Sequence, residues 1–124
     1  MSYKKLEIWI LANELVIEIH EMTLTLPKFE MYEEGAQIRK SSKNVKSTIV
    51  EGYGRKIYKA EYQKFLVYAL ASNDETKDHL ENLYNTKSLQ DNELYTRLHA
   101  KNERLGRKIR NYYHWVEENH IPSL

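Results

Sequence analysis

The chain contains no cysteine, which excludes a disulfide framework and any thiolate metal site. Two prolines and four glycines are too few turn formers for the many short strands of a sandwich or barrel. Apolar runs such as Ile8 to Ala12 cover only a few residues, whereas a membrane helix needs ~20. The opening Met-Ser-Tyr-Lys-Lys leads into charged residues and lacks the apolar centre of a secretion signal. A soluble, cytoplasmic protein with no membrane contact is expected. The net charge is only +1, smaller than a dedicated nucleic-acid binder usually carries.

What the chain does have is helical periodicity. Leu, Glu, Lys, Ile and Ala dominate, and Val and Thr are too scattered for period-two strands. The first stripe reads Ile8, Ala12, Leu15, Ile19 and Met22 and stops before Pro27, with a loop near residues 25 to 31. The second reads Ile38, Ser42, Val45, Ile49 and Gly52. It is expected to break at Gly52 and Gly54, where the backbone can take positive φ. A third stripe, Tyr62, Leu66, Ala69, Asn73, Thr76, Leu80 and Leu83, starts near Lys59 with Glu61 in its first turn. Ser88 and Asp91 have the spacing of a capping box for the fourth, which reads Tyr95, Leu98, Asn102, Leu105, Ile109, Tyr112 and Val116 and ends by Pro122. Four such stripes in 124 residues predict one all-α domain spanning 1–124, an antiparallel up-down-up-down four-helix bundle.

Ser42, Asn73, Thr76 and Asn102 lie on the buried stripes and are neutral, so they suit hydrogen bonds that fix helix register better than chemistry. A core asparagine costs stability, and Asn73→Leu would then raise it while loosening the unique packing. Catalytic patterns are sparse, and the reading is that the protein is not an enzyme. A carboxylate-bridged metal centre needs two Glu-x-x-His pairs, and only Glu117 with His120 has that spacing. Neither metal nor cofactor is expected. Glu75 and His79, one turn apart, fit a surface pair more readily than a base and its orienter. Gly52-Tyr53-Gly54 is too short for a phosphate loop.

Charge alternates along the chain: residues 1–38 are net acidic, 39–64 basic, 65–93 acidic and 94–116 basic. Arg39, Lys43 and Lys46 share a stripe on the second helix with Lys40 beside them. Arg97, Lys101, Arg104 and Lys108 do the same on the fourth, flanked by Arg107 and Arg110. Two such ridges could hold phosphates, and Tyr53, Tyr58, Tyr112 and Tyr113 could stack on bases, although paired helix charges and buried tyrosines explain the same pattern. Carboxylates neutralising each of Arg97, Lys101, Arg104 and Lys108 would defeat the idea. Ten tyrosines and two tryptophans exceed what a small core holds, so Trp9, Tyr32, Tyr68, Tyr84, Tyr113 and Trp115 are candidates for an interface.

Three ordered blocks point to a family. Ile49, Glu51, Gly52 and Arg55, then Glu61, Phe65 and Leu66, then Ala69, Ser72 and Glu75 stand at matching spacings. In these the chain resembles the four-helix-bundle proteins encoded in intervening sequences of bacterial 23S ribosomal RNA genes. It departs from them at Thr48 for Asn, Val50 for Ala, Tyr58 for Ser and Ala71 for Gly. Glu51, Arg55 and Glu75 remain available for a polar network pinning the second helix to the third.

The resemblance implies a ring-like homopentamer. The related accessory protein of diversity-generating retroelements is similar in fold and binds nucleic acid and a reverse transcriptase. Copies side by side would multiply each basic ridge. The leading expectation is a homo-oligomeric RNA- or DNA-binding protein. The alternative is a scaffold that binds a protein partner through aromatic residues and through Glu14, Glu18 and Glu21.

Overall fold

The computed structural model describes residues 2–121, and these form four α-helices and two short 3-10 turns, Tyr3–Lys5 and Lys28–Met31. The helices are α1 (Glu7–Thr23), α2 (Glu34–Gly54), α3 (Lys59–Asn85) and α4 (Asn92–Asn119). Each packs on its neighbours in the closed order α1, α2, α3, α4, α1. Pairings run in opposite senses along adjoining helices, as an up-down-up-down path requires. Along the seam of α1 with α2, Lys46 reaches Asn13, while Tyr53 meets Tyr3 just before α1. Between α2 and α3, Glu34 meets His79 and Asn44 meets Ser72. Between α3 and α4, Tyr62 meets Tyr112 and Tyr84 meets Tyr95.

The periodic stripes are the core. Every named position of the first three is buried, as are Leu98, Asn102, Leu105, Ile109 and Val116 of the fourth, and Tyr95 and Tyr112 are half-buried against it. Burial of a large aliphatic side chain contributes about 1.5–3 kcal/mol, so these stripes, and not the helices' mixed propensities, hold the bundle together.

Hydrogen bonds between helices set the register. Asn73 Nδ2 donates to the Asn102 carbonyl (3.0 Å), and Asn102 Nδ2 donates to Asn73 Oδ1 (2.9 Å). The Thr76 hydroxyl bonds with Ser41 Oγ (2.8 Å), and Asn44 Nδ2 donates to Ser72 Oγ (2.6 Å). Asn73 is thus half of a reciprocal pair. Leucine in its place would remove the Asn73 Oδ1 acceptor and leave Asn102 Nδ2 only its longer bond to the Asn73 carbonyl (3.3 Å), so the structure predicts a loss of stability where the sequence suggested a gain.

Gly52 does not supply a turn. No glycine among the described residues has positive φ, and α2 continues through Gly54. A Cβ at Gly52 would stand 2.8 Å from Phe65 Cβ, so this glycine lets α2 and α3 approach. The positive φ belongs instead to Lys87 (68°), just beyond α3.

The start of α4 also differs from expectation. Asp91 is its N-cap, accepting from the Leu94 amide at 3.0 Å. Ser88 turns away and donates to Glu30 Oε2 (2.6 Å). Glu30 is buried, and its other oxygen accepts from the Gly35 amide (3.3 Å) in the first turn of α2. Tyr58 precedes α3 with no side-chain cap, as the departure from serine implies. The expected stop at Pro122 lies outside the described residues; α4 ends at Asn119. No helix among the described residues is long and apolar enough to cross a membrane.

Candidate nucleic-acid interface

The two basic ridges divide into engaged and free cations. On α4, Arg97 Nε lies 3.3 Å from Glu18 Oε1, Lys101 pairs with the other oxygen of Glu18, and Lys108 Nζ lies 3.0 Å from Glu7 Oε1. Glu7 and Glu18 are eleven residues apart, three helical turns, and so are Arg97 and Lys108. Antiparallel helices bring such sets into register, a signal present in the sequence. Surface pairs of this kind contribute about 0–1 kcal/mol each, yet they occupy the charge. Glu18 therefore faces α4, leaving Glu14 and Glu21 exposed on α1.

Arg104, Arg107 and Arg110 are exposed and have no ion-pair or hydrogen-bond partner among the described residues. They fall on successive turns of the outward side of α4. The guanidinium is a planar, permanently charged fork that suits phosphate oxygens better than a lysine does.

On α2 the ridge is split. Arg39 folds back to donate to the Met31 carbonyl (2.8 Å), and Lys46 donates to Asn13 Oδ1 (3.0 Å) while lying 5.8 Å above the Trp9 ring. Lys40 and Lys43 stay exposed, beside a cleft of about 430 Å³ that Gln37, Ser41, Asn44, Ser47 and Glu75 also line. The Glu75 carboxylate in its wall makes this cleft a poorer anion site than the α4 face.

Glu51, Arg55 and Glu75 do not meet as one network. Arg55 sits 4.7 Å above the Phe65 ring, which still ties the end of α2 to α3. Glu75 lies 3.5 Å from His79 Nε2, whose Nδ1 bonds with Glu34 of α2. Glu51 is exposed and has no partner among the described residues. His120 Nε2 bonds with the Lys56 carbonyl at 2.9 Å, while Glu117 lies near His114.

Of the aromatic candidates, Tyr32, Tyr68 and Trp115 are exposed, and Trp9, Tyr84 and Tyr113 are half-buried. Trp115 lies nearly parallel to Tyr112, with centroids 5.7 Å and planes 11° apart. The Tyr112 hydroxyl in turn meets Tyr62 OH at 2.8 Å. Burial pushes both phenols above the ordinary tyrosine range, and for Tyr62 the bond to Tyr112 adds to the effect. Tyr53 and Tyr62 continue the edge-to-face contacts to Tyr3 and Trp9, so Trp115 stands on a braced stack. Sequence reading gave the stacking role to tyrosines and missed Trp115 for it, although its place one turn beyond Asn111 and two beyond Lys108 puts it beside the arginines.

No curated protein matches the chain. The family model for the 23S rRNA-intervening sequence protein matches residues 4–111, which takes in all of the first three helices and most of the fourth. With the bundle and the three sequence blocks in agreement, the chain belongs to the 23S rRNA-intervening sequence protein family.

Proposed function

We propose that the protein is a non-enzymatic, homo-oligomeric nucleic-acid-binding protein, and that RNA or DNA phosphates bind on the outward face of α4. The observation that carries the reading is the run of Arg104, Arg107 and Arg110, three exposed cations with no ion-pair partner among the described residues, of which Arg110 shares a small cleft with Asp74 and Glu103 and is the weakest of the three. Arg97, Lys101 and Lys108 are secondary because a phosphate would have to compete with Glu18 and Glu7 for them. Lys40 and Lys43 supply a second, weaker basic patch. A ring of five copies, the arrangement the resemblance implies, would repeat the arginine face and offset the small charge of one chain. Support for self-association comes from α1, where Ile10 and Ile17 are exposed at seven-residue spacing and Leu24 continues the row.

The test is the absorbance ratio of the purified protein before and after a salt wash, with its mass in solution, followed by titration with a labelled oligonucleotide. Arg104→Ala, Arg107→Ala and Arg110→Ala together should weaken binding at least tenfold. The log-log salt slope should fall by ~0.7 for each single-strand phosphate that the variant no longer neutralises. Absence of binding at low salt, or affinity indifferent to salt, refutes the reading.

A second reading rests on a separate observation. Leu24, Phe29, Met31 and Tyr32 are all exposed within the connection between α1 and α2. Such a cluster suits a protein partner. An oligomer that binds no nucleic acid and loses a partner on Phe29→Ser would favour this scaffold role.

A further inference from the structure

A cleft of about 290 Å³ lies between the start of α1 and the second half of α4, walled by Leu6, Ile8, Tyr112 and Trp115. Asn111 lies along it, and the Glu7–Lys108 pair closes one side. We infer that this cleft takes one unpaired base, so that the α4 face binds single strands in preference to duplex; the inference rests on the nucleic-acid reading proposed above.

Three features select that occupant. The cleft is at the lower limit of small-molecule pockets, which run from ~300 Å³ upward, so it fits one ring system and not a whole cofactor. Its wall is a half-exposed indole held nearly parallel to Tyr112, and an aromatic face offered to solvent binds any base by stacking. The Asn111 side chain has both a donor and an acceptor for a base edge. Arg104 and Arg107 precede Asn111 on the same outward stripe at three- and four-residue spacings, so phosphates held there would lead the strand to the cleft. From Arg104 to Trp115 the helix rises about 16 Å, enough for a few nucleotides. A duplex keeps its base faces stacked inside and could use only the arginines.

Trp9→Phe leaves Trp115 as the single tryptophan and supplies a direct reporter. Titrating this variant at low salt with a twelve-nucleotide oligouridine should quench its fluorescence, and a twelve-base-pair duplex should not. In the otherwise native chain, Trp115→Leu should lower single-strand affinity by about 5- to 100-fold and leave duplex affinity unchanged. Trp115→Tyr should keep most of it. Equal binding of both forms without quenching overturns the inference and leaves the arginine face standing. Failure of both forms to bind overturns the nucleic-acid reading itself.

Discussion

Gly52→Ala tests the reason given for the tight seam between α2 and α3. The added methyl would meet Phe65 Cβ at 2.8 Å and Tyr62 Cδ1 at 3.4 Å, and ordinary contact begins at 3.4 Å. Both atoms of the closer contact are fixed to helix backbones, so no rotamer change relieves it. The helices must part by ~0.6 Å or more at this level. Overpacking of a filled core costs about 1–3 kcal/mol, and the upper end applies where backbone must move. Alanine recovers about 0.8–1.0 kcal/mol of helix propensity, leaving a net loss of about 1–2 kcal/mol. Unfolding entropy of about 2.1 cal/mol/K per residue gives about 0.26 kcal/mol/K for this chain, and the midpoint should fall by about 4–8 °C. Gly54→Ala is the control, because a Cβ there meets nothing within 4 Å. It should melt about 2 °C higher, from a propensity gain of about 0.5 kcal/mol at a helix end. Thermal scans followed by circular dichroism decide the matter. A Gly52→Ala protein that melts at or above the parent temperature would refute the close-approach argument, and a destabilised Gly54→Ala would restore the turn.

Asn73→Leu should cost about 1–3 kcal/mol by removing the acceptor for one Asn102 amide hydrogen, and Asn73→Leu with Asn102→Leu should recover part of that; urea titrations of the double-mutant cycle would reveal additive losses if the pair does not interact. Tyr62 has a higher pKa in the fold than in the unfolded chain, so its contribution is complete below pH ~10 and drains away above it. Stability should then fall by up to about 1.4 kcal/mol per pH unit for this group between pH 10 and 12, and Tyr62→Phe should flatten that decline in melts recorded across the range.

The helices and their buried faces were legible because each stripe repeats every three or four residues over many turns, from Ile8 to Met22 and from Tyr62 to Leu83. What a residue meets across a seam was not. Gly52 looks like a turn former until Phe65, thirteen residues later, is folded against it. Ser88 and Asp91 are both good caps, and Glu30 from a distant connection decides between them by taking the serine. The basic ridge on α4 was visible as a row of cations. Its division into free and neutralised members depends on which side of α1 presents Glu7 and Glu18. Nothing near Glu30 in the sequence announces its burial, which depends on Gly35 and Ser88 closing over it.

That single carboxylate fastens two joints of the rod together. The first turn of α2 and the chain before α4 share Glu30 through Gly35 and Ser88. Lengthening a free surface loop costs little, about 0.6 kcal/mol for each doubling, but here an insertion on either side would drag an anion away from the two donors that hold it. Fusion tags and grafted peptides belong at other places on this molecule.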